Sequence, residues 1–258
     1  MTSSFTKIST AVILAAGMGI RLRNLTGLLP KGLLQIGDKS LISRSLESLK
    51  NEGIDRAIIV TGFQQSHYHV HLQQLAVKPE LEFVHSKQFA KTGSMHSLFV
   101  AKNYLKEDFL LLESDLLYES RALNSVINFE GPDVILASDK TNSGDEVYIY
   151  GEKLEEQNDS IVRGRITAIS KKPFPDLSVQ GELVGISKIS LKLLNRMCEY
   201  HEAHAEFPCK RHYEEYISDL CSKKEIPFLR VGDLVWTEID DQSHYERALK
   251  EILPRLIK

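Results

Sequence analysis

The amino-acid sequence predicts an α/β fold with a mostly parallel sheet and helices on both of its faces. Short apolar runs alternate with helical patterns over the first 140 residues, and this alternation is typical of βαβ units. The runs Ala11–Ala16 and Phe109–Leu112 are apolar throughout, as expected of strands that are buried on both faces. The composition, with 42% hydrophobic and 26% charged residues among 258, is that of a globular protein with a core.

The elements of the first half follow from apolar spacing. Residues 40–51 place Leu41, Ile42, Leu46 and Leu49 on one helical face, and Gly53 follows as a stop signal. In chain order we expect strands at 11–16, 57–61, 81–85, 109–112 and 133–138, with helices at 40–51, 65–76 and 94–105.

The pattern changes after residue 140. We expect antiparallel strands at 146–150 and 165–170, helices at 190–203 and 211–225, a strand at 235–239 and an amphipathic helix at 245–256. We interpret this part as a smaller antiparallel subregion that covers a cleft, not as a separate folding unit. The prediction is therefore one domain over 1–258, with halves at about 8–140 and about 141–240.

Bulk properties argue against several classes of protein. The net charge of −3 gives no support for a nucleic-acid partner. The longest apolar runs are too short for membrane insertion, and residues 1–9 lack the apolar region of a signal peptide, so we expect a cytoplasmic protein. Three cysteines without CxxC spacing favour reduced thiols over a disulfide framework or a zinc site.

A glycine-containing loop follows the first strand. Gly17 and Gly19 are separated by one residue, and Arg21 comes shortly after them. Glycines let backbone N–H groups approach a polyphosphate, and a guanidinium can grip phosphate oxygens with its planar fork. The motif is neither a Walker loop nor a complete GxGxxG, and a tight strand-to-loop turn is the alternative reading.

The same loop ends in Pro30-Lys31. A lone lysine after a proline is normally a surface residue. Here Lys31 and Arg21 would both face the glycine turn, and two cations there suit a triphosphate whose charge must be neutralised as pyrophosphate leaves.

Two acidic blocks lie at predicted strand ends. Glu113-Ser114-Asp115 follows one strand, and Glu238-Ile239-Asp240-Asp241 includes the end of another. Ligands of open α/β sheets bind at the carboxyl ends of strands, and carboxylates are ligands that Mg²⁺ prefers. The alternative is that these aspartates cap the helices that follow them.

With these motifs in place, the stretch LAAGMGIRL…PKGLLQIGDKSLI resembles the signature of the nucleoside-triphosphate-transferase family, which includes sugar-phosphate nucleotidyltransferases and phosphocholine cytidylyltransferases. The resemblance implies a Rossmann-like α/β/α sandwich and a Mg²⁺ cofactor. It assigns nucleotide binding to Ala15, Gly17 and Gly19, catalysis to Arg21 and Lys31, and the metal to Asp115 and Asp240.

A lysine pair at Ser170-Lys171-Lys172-Pro173 resembles the Glu-Lys-Pro block of that family, whose lysine holds the phosphate of the acceptor. The serine stands where the family usually has glutamate, and either Lys171 or Lys172 could take the role. A solvated lysine pair is the alternative.

Further blocks around Gly93, Asp115, Asp145, Glu182 and Trp236 resemble those of 2-aminoethylphosphonate cytidylyltransferases over residues 10–257. That resemblance implies transfer of CMP from CTP to a small phosphonate or phosphate ester, with release of pyrophosphate. It implies that Gly93 and Ser94 help to recognise the nucleotide base. An ammonium-bearing acceptor needs an anionic or aromatic partner. The candidates are Asp145, Glu146 and Glu182, with Asp145 first. The alternative is that these carboxylates face water and bind no acceptor.

Other functions stay open at this point. A phosphocholine or other phosphonate cytidylyltransferase, a hexose-1-phosphate nucleotidyltransferase and a non-catalytic nucleotide sensor would share these motifs, and a homodimer is also open. On the resemblance, the half at about 8–140 would bind the nucleotide and the subregion at about 141–240 the acceptor.

Overall fold

The structure is a computed structural model that describes residues 7–22, 24, 27, 29–158, 160–204, 206 and 209–256. The strands are β1 (Thr10–Ala15), β2 (Gln35–Ile36), β3 (Lys39–Ser40), β4 (Arg56–Thr61), β5 (Glu80–His85), β6 (Phe109–Glu113), β7 (Leu116–Tyr118), β8 (Val134–Ser138), β9 (Tyr148–Asn158), β10 (Ile161–Ser170), β11 (Val179–Ile189), β12 (Pro227–Val231) and β13 (Trp236–Glu238).

The α-helices are α1 (Leu41–Asn51), α2 (Gln65–Gln73), α3 (Ser94–Ala101), α4 (Arg121–Ile127), α5 (Leu191–His204), α6 (Tyr213–Leu220), α7 (Gln242–Arg247) and α8 (Leu253–Leu256). Short 3₁₀ turns lie at Ile20–Leu22, Lys31–Leu33 and Lys102–Tyr104, and a π-helical turn at Ala248–Ile252 joins α7 to α8. None of the helices in the described chain has both the length and the apolar character that crossing a bilayer requires.

A nine-stranded sheet, in the order β5-β4-β1-β6-β11-β8-β12-β10-β9, forms the centre of the molecule. Strand β1 pairs in parallel with β4 and β6, and β4 with β5. Strand β11 is antiparallel to β6 and β8, and β10 is antiparallel to β12 and β9. The described strands of this sheet therefore all point the same way except β10 and β11, which confirms the predicted mostly parallel α/β sheet.

Alternate residues of β1 divide the core into two layers. Val12 and Leu14 belong to a cluster with apolar residues of α3, α5 and α6 on one face of the sheet. Ala11 and Ile13 belong to a cluster with residues of α1, α2 and α4 on the other face. Because side chains alternate across a strand, a strand apolar at every position needs cover on both faces, and the fold is accordingly a Rossmann-like α/β/α arrangement.

A third apolar cluster fixes the glycine loop. Leu22 of this loop is 1% exposed and packs with Leu117 of β7, Ile239 after β13 and Ile252 of the C-terminal helical segment. The C-terminal segment thereby holds the loop against the two short strands β7 and β13, from which the acidic blocks extend.

The structure differs from the predicted elements in several places. The sequence prediction has no counterpart for strands β2, β3, β7, β11 and β12 or for helix α4. The helices predicted at 94–105 and 211–225 end earlier, at Ala101 and Leu220. Strand β11 carries a register shift between Leu183 and Ser187, with Gly185 at φ +82°. Because β11 also pairs with β9, the antiparallel subregion is continuous with the main sheet.

Candidate active site

The glycine loop starts where β1 ends. Gly19 has a φ of +53°, a left-handed conformation that suits glycine, and a Cβ atom built on it would lie 3.2 Å from Cβ of Lys31. The beginning and the end of the loop are therefore side by side. Four residues of the predicted loop (Arg23, Leu25, Thr26 and Leu28) lie outside the described residues.

Strand pairing brings the two acidic blocks together. Strand β13 pairs antiparallel with β7, with Glu238 opposite Leu116, and the Ile239 N–H donates to the Asp115 carbonyl oxygen at 3.1 Å. Asp115 and Asp240 are 125 residues apart in the sequence, and this short ladder places both at one edge of the sheet.

Lys31 lies between these aspartates. Its Nζ is 2.5 Å from Asp115 Oδ2, 2.5 Å from Asp240 Oδ1 and 3.9 Å from Glu238 Oε1. Burial acts to lower the pKa of Lys31, but the nearby carboxylates of Asp115 and Asp240 raise it above its usual range. Burial acts to raise the pKa of Asp240, but the charge of Lys31 holds it well below its usual range. Lys31 and Asp240 therefore both stay charged at neutral pH.

A carboxylate cluster, which consists of Glu113, Asp115 and Glu238, adjoins Lys31. One carboxylate oxygen from each lies within 4.8 Å of the others, and Asp115 Oδ1 is buried with no hydrogen-bond partner among the described residues. Burial and the charge of Asp115 raise the pKa of Glu113 to about 8, and burial with Asp115 and Glu113 raises the pKa of Glu238 well above its usual range. Three crowded hard oxygen ligands, one of them unpartnered, fit a divalent cation such as Mg²⁺, whose charge would favour the ionised form of each carboxyl group.

This cluster shares only Asp115 with the pair predicted to hold the metal. Asp240, the other predicted ligand, is paired with Lys31 and lies 3.1 Å from Arg21 Nη2. The metal assignment therefore remains a prediction for Asp240, and the geometry adds Glu113 and Glu238 as candidates.

These groups line a cleft of about 370 Å³ at the carboxyl edge of the sheet. The predicted site residues that line it are Gly17, Arg21, Lys31, Gly93, Ser94, Asp115, Asp145, Lys171, Glu182 and Asp240. The other predicted residues, Ala15, Gly19, Glu146 and Lys172, are not among the described lining residues.

Asp145 lies between two cations in the cleft. Its Oδ2 accepts from Arg21 Nη1 at 2.9 Å and its Oδ1 from Lys171 Nζ at 2.6 Å. Both lysines are exposed, but Lys172 is not among the described lining residues, and its backbone N–H donates to Ser170 Oγ at 2.9 Å. Of the lysine pair, Lys171 is the one that the fold brings into the cleft.

The two other candidate carboxylates accept hydrogen bonds from backbone N–H groups. Glu182 is only 4% exposed and accepts from the Thr141 N–H at 2.6 Å and from Thr141 Oγ1 at 2.9 Å. Glu146 accepts from the Gly144 N–H at 3.2 Å. Asp145 is therefore the one of the three that pairs with cations in the cleft.

Gly93 and Ser94 begin helix α3 at another wall of the cleft. The Gly93 N–H donates to the Cys209 carbonyl oxygen at 3.0 Å, and a Cβ atom on Gly93 would lie 2.2 Å from the Arg211 carbonyl oxygen. Ser94 Oγ accepts from the Tyr213 N–H at 3.1 Å and is 3.2 Å from His212 Nδ1. Only glycine permits this close approach of two backbones.

Some lining residues were not predicted as site residues. Glu113 and Glu238 belong to the acidic blocks noted in the sequence, and their strand-end positions were a usable signal. His212, Glu214 and His244 also line the cleft, but they come from helix starts that carry no chemical motif, so the sequence offers no signal for them.

A cleft that joins a glycine loop, a buried lysine and strand-end carboxylates at the carboxyl edge of a Rossmann-like sheet defines a nucleotide-binding protein. Residues 10–146 match the family described as Nucleotidyl transferase. The match covers more than half of the chain, and the protein belongs to this family.

Three relatives illustrate the family. The chain is 26% identical to the CTP:phosphoglutamine cytidylyltransferase of Campylobacter jejuni over 199 residues, which is 74% of this chain and 77% of that one. It is 26% identical to the bifunctional IPC transferase and DIPP synthase of Aquifex aeolicus over 252 residues, or 97% of this chain and 53% of that one, so it spans about half of that relative. The inositol-1-phosphate CTP transferase of T. maritima has the same fold, with a TM-score of 0.75, 23% identity and coverage of 95% of this chain and 98% of the other.

We expect Glu113→Gln to change the pH dependence of stability. Because the folded pKa of Glu113 is raised to about 8 from 4.5, the native state binds more protons than the unfolded state between these values. The free energy of unfolding therefore falls as pH rises through this window. In metal-free protein, Glu113→Gln should leave stability unchanged near pH 4.5 and increase it by more than about 1 kcal/mol above pH 8.

Urea unfolding with a chelator, followed across this pH range, measures the effect. Glu80→Gln, which alters an exposed residue of β5, is the control. Parallel pH profiles for wild type and Glu113→Gln would contradict the assigned burial of the Glu113 carboxyl.

Proposed function

We propose that the protein transfers CMP from CTP to a small acceptor that carries a phosphonate or phosphate group, and that 2-aminoethylphosphonate is the acceptor it prefers. The observation that carries the proposal is the placement of Lys31 between Asp115 and Asp240, beside the glycine loop. Membership of the nucleotidyl transferase family and the CTP in the name of the C. jejuni relative support this donor and reaction type.

The chemistry needs positioning more than proton transfer. An oxygen of the acceptor anion attacks the α-phosphorus of CTP, a new P–O bond forms, the bond from that phosphorus to the bridging oxygen breaks, and pyrophosphate leaves. The attacking oxygen is already anionic, so no general base is needed. Lys31 and Arg21 offset the negative charge that develops on the phosphates.

The metal role falls to the carboxylates at the strand ends. Asp115 is the first candidate ligand, with Asp240 as predicted and Glu113 and Glu238 beside it. A bound Mg²⁺ would supply charge neutralisation on the phosphate oxygens. Lys31 keeps Asp115 and Asp240 at the same edge of the sheet.

The acceptor side of the cleft favours a primary ammonium group. Lys171 would hold the phosphonate, and Asp145 would accept from the ammonium. Among the described lining residues there is no tyrosine or tryptophan, and Phe89 is the only ring besides the histidines. Trimethylammonium groups are recognised by aromatic cages, whereas a primary ammonium donates three hydrogen bonds and suits a wall of carboxylates. This contrast favours 2-aminoethylphosphonate over phosphocholine.

Lys31→Met and Asp115→Asn should each lower kcat for pyrophosphate release by about 100-fold or more, since the first removes a cation that offsets phosphate charge and the second a candidate metal ligand. The measurement is pyrophosphate release from CTP with 2-aminoethylphosphonate and Mg²⁺, on variants whose circular dichroism matches wild type. Lys172→Met, a matched lysine change outside the cleft lining, should keep near-normal kcat. Near-normal turnover by Lys31→Met or Asp115→Asn would overturn the proposed site.

Asp145→Asn should raise the KM for 2-aminoethylphosphonate about tenfold or more, because a hydrogen bond between charged groups is lost. Ethylphosphonate lacks the ammonium group and is the matched acceptor. Its KM should change much less. If the KM values of both acceptors rise equally, Asp145 acts through Arg21 and Lys171 and does not contact the ammonium group.

A further inference from the structure

Tyr213, the first residue of α6, makes a contact with the carboxylate cluster that the reaction scheme above does not use. Its side chain is 1% exposed, and its hydroxyl donates to Glu113 Oε1 at 2.9 Å. Glu113 lies next to two other acidic groups, Asp115 and Glu238. When these groups ionise, as cation binding requires, their like charges repel at this distance, and a buried donor then helps to hold the Glu113 side chain in one orientation.

The backbone of the same residue contacts the wall of the cleft at α3. The Tyr213 N–H donates to Ser94 Oγ at 3.1 Å. The segment just before it lies so close to Gly93 that a Cβ atom there would be 2.2 Å from the Arg211 carbonyl oxygen. Tyr213 thus joins the start of α3 to the carboxylate cluster.

Helix α6 is itself held from behind. Ile217 and Leu220 are buried in the core layer that α6 shares with α3 and α5, and Ser218 Oγ accepts from the Ile169 N–H of β10 at 3.0 Å. With both anchors in place, α6 is fixed against the core, and the buried ring of Tyr213 points its hydroxyl at Glu113 from that position. Its hydroxyl is therefore a fixed donor toward Glu113.

We propose that Tyr213 is a positioning residue that orients Glu113 for divalent-cation binding and couples the cation site to the cleft wall at Gly93 and Ser94. The inference rests on the proposed function, in which the carboxylates hold Mg²⁺, and on the expectation that Gly93 and Ser94 contact the nucleotide base. Groups that orient metal ligands through hydrogen bonds typically contribute about 10–100-fold to metal affinity.

The test compares Tyr213→Phe with Tyr216→Phe. Both changes remove one hydroxyl from a buried tyrosine of the same helix, and Tyr216 contacts His201 and Cys209 rather than the carboxylates. Binding of Mn²⁺ is titrated by electron paramagnetic resonance without nucleotide. We expect Tyr213→Phe to weaken Mn²⁺ binding about 10–100-fold and Tyr216→Phe to leave it within about twofold of wild type.

A second comparison places Tyr213→Phe in a Glu113→Gln background. If Tyr213 acts through Glu113, the double variant should bind Mn²⁺ no more weakly than Glu113→Gln alone. A further loss of the same size would overturn the proposal, as would wild-type Mn²⁺ affinity in Tyr213→Phe.

The outcomes also separate this inference from the proposed function. In wild type, pyrophosphate release from CTP tests the function, and the Mn²⁺ titration does not depend on it. If the wild type releases pyrophosphate and Tyr213→Phe binds Mn²⁺ as tightly as the wild type does, the positioning role alone is overturned. Wild type that binds Mn²⁺ but releases no pyrophosphate from CTP overturns the function alone.

Discussion

The contact of the Lys31 ammonium with Asp115 and Asp240 is the interaction on which the candidate site depends. These side chains are only 12–14% exposed, so the removal of one partner would leave a charge that is poorly solvated. Each partner comes from a different part of the fold. Lys31 ends the glycine loop, Asp115 follows β6, and Asp240 follows β13. The pairing of β7 with β13 and the packing of Leu22 against the C-terminal segment both serve to bring them together.

Around this contact the cleft carries more acidic than basic groups. Glu113, Glu182, Glu214 and Glu238 all line it, and burial raises the pKa of each. A cleft for a triphosphate would be expected to be basic, since phosphate carries negative charge. The acidic excess agrees with the proposal, in which the site also receives a divalent cation and an acceptor with an ammonium group.

The sequence predicted the α/β class and many of the residues that line the candidate site, because both predictions depend on local signals. Apolar runs identified β1 and β6, and in a parallel sheet their carboxyl ends meet, which placed Gly17 and Asp115 at one edge. The sequence could not predict β11, since its two glycines and its register shift break the alternation that identifies a strand. Nor could the sequence distinguish Lys171 from Lys172, because two adjacent lysines of one loop differ only in the direction of their side chains, which the motif does not specify. The grouping of Glu113 with Glu238 required the long-range ladder between β7 and β13.

The central claim is that these residues join CMP to a phosphonate, and the ³¹P NMR spectrum of the reaction products tests it most directly. With CTP, 2-aminoethylphosphonate and Mg²⁺, the account predicts two mutually coupled doublets, one from the cytidylyl phosphorus and one from the phosphonate, together with the pyrophosphate singlet. A spectrum that shows only CMP and pyrophosphate, or coupled signals with phosphocholine or glucose-1-phosphate but not with 2-aminoethylphosphonate, would contradict it.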